Sequence, residues 1–241
     1  MNQFINKITH ADCMEVLKLL PDKSIELLLI DPPYGRDAVK KGRIGDDRIA
    51  KATDYGSEDW DAKPLGQEYF DEFFRVSKNQ IIFGANYFIT KINKDSPCWL
   101  FWDKDNSGDF ADGELAFTSF KTPLRKIRWR WNGMLQQDMK NKEIRIHPTQ
   151  KPVGLFEKIL NDYYDRKSNG IVADFCSGSG SVAIACHNLG IPFICTEKNR
   201  RYYEASVKRL EQAVAQIKLK FEQPIEPVYS QTNIFDTPGG V

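Results

Sequence analysis

The chain has 241 residues, with 34 Lys and Arg against 33 Asp and Glu, a formal net charge of +1. At 41% apolar and 28% charged residues it has the composition of one globular domain with a sizeable core, which excludes wholesale disorder. No apolar run approaches the roughly 18 residues of a membrane span, and the near-zero charge argues against a nucleic-acid partner, which usually meets a basic excess.

Short apolar runs alternate with helical patterns, so an α/β sheet with largely parallel strands is expected. Asp12 caps a predicted helix from Cys13 to Leu20, and Pro21 ends it. Ile25 to Ile30 reads as a buried strand that runs into Asp31-Pro32-Pro33-Tyr34. From Arg36 to Asp61 the periodicity lapses, and a long mobile loop is expected there. A helix from Gln67 to Val76 follows, then strands at Gln80–Phe83, Cys98–Trp102 and Glu114–Phe120. Ile127 to Trp131 alternates with period two, with Ile127, Trp129 and Trp131 on one face and Arg128 and Arg130 on the other. Pro152 opens a helix that reaches about Tyr164. Ile171–Phe175 is a strand, Gly180–Leu189 a helix, Pro192–Thr196 a strand and Asn199 to about Lys218 a long helix. The tail from 222 to 241 is expected to be irregular.

Two strand-end loops carry chemistry. In the first, Gly178, Gly180 and Ala183 fit the pattern G-x-G-x-x-A between a strand and a helix, where glycines let a cofactor approach the backbone. Glu197 ends the next strand, a position suited to a carboxylate on a ribose. By itself this loop fits a nicotinamide-dinucleotide enzyme, an S-adenosylmethionine enzyme or a structural turn. The second loop narrows the choice. An exocyclic amine on a base is a poor nucleophile, because its lone pair is delocalised into the ring. It needs two acceptors for its N–H groups, and Asp31 with the Pro32 carbonyl supplies them. Pro32 and Pro33 fix φ and hold the acceptors in advance. Tyr34 offers a face for base stacking, worth about 1–3 kcal/mol.

Together with His147-Pro148-Thr149-Gln150-Lys151-Pro152 and Ser177-Gly178-Ser179-Gly180-Ser181, these loops resemble the amino-directed DNA methyltransferases, N6-adenine or N4-cytosine, in their β arrangement. In that arrangement the catalytic motif comes first and the glycine loop last. The run Asn79 to Phe88 and Arg130-Trp131-Asn132-Gly133-Met134 look like small phage and prophage adenine methylases. The resemblance implies a Rossmann-like methyltransferase fold, with a mostly parallel seven-stranded sheet flanked by helices and a small target-recognition insertion at 103–146. It implies a single methyltransferase domain over 1–241, with the 36–61 loop facing DNA and closing over a flipped base.

Carried over by motif, Asp31, Pro32, Pro33 and Tyr34 form the catalytic loop. Asp31 also borders the cofactor, and Thr149 and Lys151 hold the methionine part of S-adenosylmethionine. Asp174, Phe175, Ser177, Gly178, Gly180 and Ser181 line the turn, Glu197 takes the ribose, and Asp12 and Cys13 lie by the cofactor adenine. The usual form of the turn is Asp-Pro-Phe-x-Gly-Ser-Gly; here Phe175 and Cys176 stand in the proline and phenylalanine positions. Aspartate at the first catalytic position leans toward adenine, as a tendency of the family. N4-cytosine or RNA methylation, and a non-catalytic cofactor- or DNA-binding module, stay open as alternatives.

The +1 average conceals a pattern. Residues 120–151 hold nine cations against two anions, +7, which leaves −6 for the rest. Lys121, Arg125, Lys126, Arg128 and Arg130 of this segment, and Arg36, Lys40, Lys41 and Arg43 of the preceding loop, are the expected phosphate contacts on double-stranded DNA. Five cysteines, an odd number without a Cys-x-x-Cys pair, predict neither a disulfide framework nor a metal site. With no secretory pattern in Met1 to Phe4, a cytoplasmic setting is expected, in a bacterial cell or a phage-infected host. A restriction-enzyme partner or none, and a monomer or a homodimer, are all compatible with the sequence.

Overall fold

The computed structural model describes residues 1–35, 43–44, 53–54, 63–106, 111–132 and 135–222. Its main sheet has eight strands: β1 (Lys7–His10), β2 (Ile25–Ile30), β5 (Ser77–Phe83), β6 (Trp99–Asp103), β7 (Gly113–Thr118), β8 (Arg125–Arg128), β11 (Val172–Asp174) and β12 (Phe193–Glu197). They lie in the order β1-β12-β11-β2-β5-β7-β6-β8. Only β7 runs against the others in this sheet. The strand beyond the expected seven is β1. Its sequence Lys-Ile-Thr-His lacks an apolar run because it is an edge strand, paired only with β12.

The two halves of the chain interleave in this order. β11 and β12, from the C-terminal half, sit between β1 and β2 from the N-terminal half. The end of β2 and the end of β11 therefore open at the same rim of the sheet, side by side.

Both faces of the sheet are covered, which is why its central strands read as continuous apolar runs. Leu27 and Leu29 of β2, with Ile81 and Phe83 of β5, join the core that contains Leu155, Ile159 and Leu160 of α4 (Val153–Tyr163) and Val182 of α5 (Ser181–Asn188). Leu28, Ile30 and Ile82 point the other way, toward Val16 and Leu17 of α1 (Cys13–Leu17) and Phe70, Phe73 and Val76 of α2 (Gln67–Val76). Alternation along each strand thus builds two cores. The short α3 (Ile89–Ile92) packs on α2, and α6 (Arg200–Glu222) packs on α5 and β1. No helix among the described residues is long and apolar enough to cross a membrane.

One expectation shifts in detail. Within 103–146, β7 and β8 join the main sheet, where strands are expected, and β9 (Trp131–Asn132) and β10 (Leu135–Gln136) form a separate hairpin. The alternating run Ile127 to Trp131 is not one strand. It breaks after Arg128, although Ile127 and Trp131 are both buried as the pattern requires. Within 36–61, β3 (Arg43–Ile44) and β4 (Thr53–Asp54) pair antiparallel, and the remainder of that expected loop lies outside the described residues, as does the tail from 223.

Candidate active site

The rim where β2 and β11 end opens into a cavity of about 960 Å³. Asp31 to Tyr34 line one side of it, and Asp174 to Ser179 with Glu197 line the other. Asp12 and Cys13 after β1, and Thr149 and Lys151 before α4, complete the wall. The motif residues expected to act together, drawn from both ends of the chain, are thus brought into one space, except Gly180, whose Cα faces Ile8 and Ser206.

On the Asp31–Tyr34 side, side chains hold one another. The Tyr34 hydroxyl donates to Asp31 Oδ1 at 2.6 Å. Lys151 pairs with Asp31 Oδ2 and, at 2.9 Å, with Glu114 Oε2. Glu114 Oε1 pairs with Lys104 at 2.6 Å. Burial works against ionisation of Asp31, and Glu114 adds to that, so its carboxyl is raised above the ordinary range although Lys151 opposes the shift. Burial likewise opposes the charge on Lys151, but Asp31 and Glu114 outweigh it and hold the ammonium above its usual value. Tyr34 is set by packing as well as by its hydroxyl. Its ring stacks on Tyr87 with centroids 5.0 Å apart, and it lies against Gly84, which sits at φ +62°. A Cβ on Gly84 would meet the Tyr34 ring at 2.1 Å.

On the glycine-loop side, backbone geometry does the holding. Gly178 and Gly180 adopt φ +48° and +74°, the left-handed region that favours glycine. Glu197 Oε2 accepts the Gly178 N–H at 2.7 Å and Oε1 accepts the Asn199 N–H at 2.8 Å, so the carboxylate is aligned beside the turn. Burial raises its pKa. The Ser177 Oγ is buried with no hydrogen-bond partner among the described residues. An orphaned hydroxyl on a cavity wall, beside a backbone turn with no Cβ and an aligned carboxylate, fits a polar nucleoside ligand. Asp174 is buried beneath the turn; burial pushes its carboxyl up to about 8, and its Oδ1 accepts the Cys176 N–H.

Other expected residues take more specific places. Phe175 stacks on Phe73 with rings nearly parallel, which turns it into the core packing. Ser181 donates its hydroxyl to the Lys151 carbonyl at 2.7 Å and so ties the glycine loop to the Thr149–Lys151 run. Thr149 is exposed, with its N–H donating to His147 Nδ1. His147 is buried, and burial with the Lys151 charge nearby lowers it to about 3, so the ring is neutral. Asp12 caps α1 by accepting the Met14 N–H at 2.9 Å and also pairs with Lys198, so helix cap and cavity wall are one residue. The Lys151 ammonium, expected on the methionine end of a cofactor, is placed between Asp31 and Glu114.

Three cations of the basic segment pair with acids that precede it while staying exposed. Lys126 pairs with Asp103 at 3.1 Å, and Arg128 and Arg130 both pair with Asp105. Lys121 and Arg125 are exposed. Arg36, Lys40 and Lys41, and the side chain of Arg43, lie outside the described residues.

Glu114 and Lys104 are site residues that motif reading missed. The available signal was a lone acid at the head of an apolar run, Glu114-Leu115-Ala116-Phe117. A second missed contact is Glu143, which accepts the Val153 N–H at 2.9 Å and pairs with Arg209; Arg209 in turn donates to the Ser179 carbonyl at 2.9 Å.

A family model described as DNA methylase, of the N6/N4 methyltransferase type, matches residues 85–208. The chain is 25% identical over 257 residues to the type II methyltransferase M.HinfI of Haemophilus influenzae, covering 88% of this chain and 70% of that protein. The fold matches the structure of M1.HpyAVI in complex with SAM, with a TM-score of 0.53, 23% identity, and 84% and 98% of the two chains covered. It also matches the cytosine-N4-specific PvuII DNA methyltransferase, with a TM-score of 0.54 at 13% identity, covering 88% of this chain and 92% of that one.

Proposed function

The chain belongs to the N6/N4 family of DNA methylases, and we propose that it methylates the N6 amine of an adenine flipped out of double-stranded DNA. S-adenosylmethionine is its cofactor, and when bound it supplies an electrophilic methyl group on a sulfonium. The observation that carries the reading is the single cavity into which both Asp31-Pro32-Pro33-Tyr34 and the glycine turn open. Ser177, the Gly178–Gly180 turn and Glu197 would hold the nucleoside end, with Asp12 and Cys13 beside it and Thr149 toward the methionine end.

Asp31 and the Pro32 carbonyl accept the N–H groups of the target amine, which frees its lone pair from ring conjugation. Acceptors held in place before the substrate arrives need no reorganisation at the moment of reaction. Asp31 is also the carboxylate nearest the proton that the amine sheds after transfer. Tyr34 stacks on the base, and a base within a duplex reaches it only by leaving the stack, at a cost of about a few kcal/mol. Exposed Lys121 and Arg125 face the phosphates.

The adenine reading rests on aspartate at the first catalytic position. The likeness to a cytosine-N4-specific enzyme favours N4-cytosine as the second reading. The test is incubation of the full chain with labelled cofactor and unmethylated genomic DNA, followed by digestion to nucleosides. Label in N6-methyladenine is expected. Label only in N4-methylcytosine would overturn adenine, and label in neither would overturn the enzymatic reading.

A further inference from the structure

We propose that Glu114 is a positioning residue for the transfer, a second carboxylate that takes over the Lys151 ammonium when the target amine comes to Asp31. The inference rests on the reading of Asp31 as the amine acceptor.

Topology puts Glu114 in place. As the one antiparallel strand of the main sheet, β7 begins where the parallel strands end. Glu114 near its start therefore faces Asp31, 83 positions earlier in the chain. In the structure both Asp31 oxygens are already engaged, Oδ1 by the Tyr34 hydroxyl and Oδ2 by Lys151. A carboxylate oxygen can accept a second hydrogen bond, but the amine N–H is accepted more strongly when the Lys151 charge moves off Asp31.

Lys151 cannot simply leave. Its side chain is 3% exposed, and a buried cation without a partner is strongly unfavourable. Glu114 removes that obstacle, because Oε2 already lies 2.9 Å from the ammonium. The same oxygen lies 3.3 Å from the Tyr34 hydroxyl oxygen, within reach of its one proton when that leaves Asp31, so both groups that occupy Asp31 have a second seat on Glu114. Lys104 holds the other oxygen at 2.6 Å and keeps Glu114 fixed and charged. Burial opposes that charge, but Lys151 and Lys104 outweigh it and hold the carboxyl at about 2. Two carboxylates and two ammonium groups are thus neutral together, and Lys151 can shift between its partners without stranding a charge.

The charged and titratable groups facing Asp31 are Tyr34 from its own loop, Lys151 before α4, Glu114 from β7 and Asp174 at the end of β11, with Lys104 behind Glu114. Removing the Glu114 charge leaves Lys151 locked on Asp31 and lowers the pH at which Asp31 ionises. Removing Lys104 does the reverse, since Glu114 then draws Lys151 more strongly.

The experiment compares steady-state methyl transfer to unmethylated genomic DNA by the unaltered protein, Glu114→Gln, Glu114→Asp and Lys104→Met, across pH. Glu114→Gln is expected to lower kcat about 100-fold, with KM for cofactor and DNA little changed, and to move the acidic limb down by about one pH unit. Glu114→Asp should recover part of the rate. Lys104→Met should move the limb upward. A Glu114→Gln loss confined to KM, or limbs that stay put or move together, would overturn the proposal. If Glu114→Gln does not fold, Lys104→Met decides alone, and an unmoved limb in that variant counts against it. Absence of transfer by the unaltered protein overturns the proposed function and this role with it; normal transfer there with an unaltered Glu114→Gln profile overturns this role only.

Discussion

The two sides of the cavity are held by different means. The glycine turn is fixed by local backbone geometry: two left-handed glycines and a carboxylate, Glu197, that accepts the Gly178 N–H from the next strand. The side proposed to be catalytic is fixed by side chains drawn from four distant stretches, Asp31 and Tyr34, Lys104, Glu114 and Lys151. A local device needs only a strand, a turn and a helix. A network of buried charges needs the whole topology, and it fails as a unit when one member is removed.

This contrast orders the expected effects of substitution. Asp31→Ala is expected to lower transfer by about three orders of magnitude or more, because it removes a preorganised acceptor, as a single-turnover assay would record. Glu197→Ala should instead weaken cofactor binding by about 1.5–3 kcal/mol, the range for hydrogen bonds to a charged group, read by calorimetry. Gly84→Ala tests the packing of the catalytic side. A Cβ there meets the Tyr34 ring, so kcat should fall about tenfold while cofactor affinity holds.

A last expectation, on stability and not on transfer, concerns Asp174 beneath the turn. Burial raises its carboxyl to about 8 in the folded protein, against 3.8 for the ordinary group. The folded state keeps a proton that the unfolded chain has released, so this contribution to stability is complete below about pH 4 and is lost as pH rises toward 8. Asp174→Asn should therefore flatten the decline of Tm across that window. An equally steep decline in the variant would break the assignment.

The same contrast explains what was legible in the sequence. The strands β2 and β11, the helix α2 and both loops announce themselves through apolar runs, prolines and glycines, all local signals. Strand β1 does not, because an edge strand with Lys7 and His10 has no apolar run. The first three residues of β5, Ser77-Lys78-Asn79, are missed for the same reason. Glu114 was hidden because its meaning depends on β7 running antiparallel, which no local pattern states. The basic segment has partners that local reading does not find. Parallel pairing of β6 with β8 sets Asp103 opposite Arg128, and Asp103 and Asp105 neutralise cations more than 20 positions away. Summing charge along the chain finds the cations and misses the acids that face them. Phe175, placed in the motif by spacing, lines the cavity while its ring also stacks on Phe73, a contact that no local pattern states.

The central claim is that one cavity joins a cofactor side and an acceptor side that can be disabled separately. Titration of S-adenosylmethionine into Asp31→Ala and Glu197→Ala, side by side with the unaltered protein, tests it most directly. The account predicts near-normal affinity in Asp31→Ala, despite its loss of transfer, and an affinity lowered about 10- to 100-fold in Glu197→Ala. Equal loss of binding in both variants, or undiminished binding in Glu197→Ala, would contradict it.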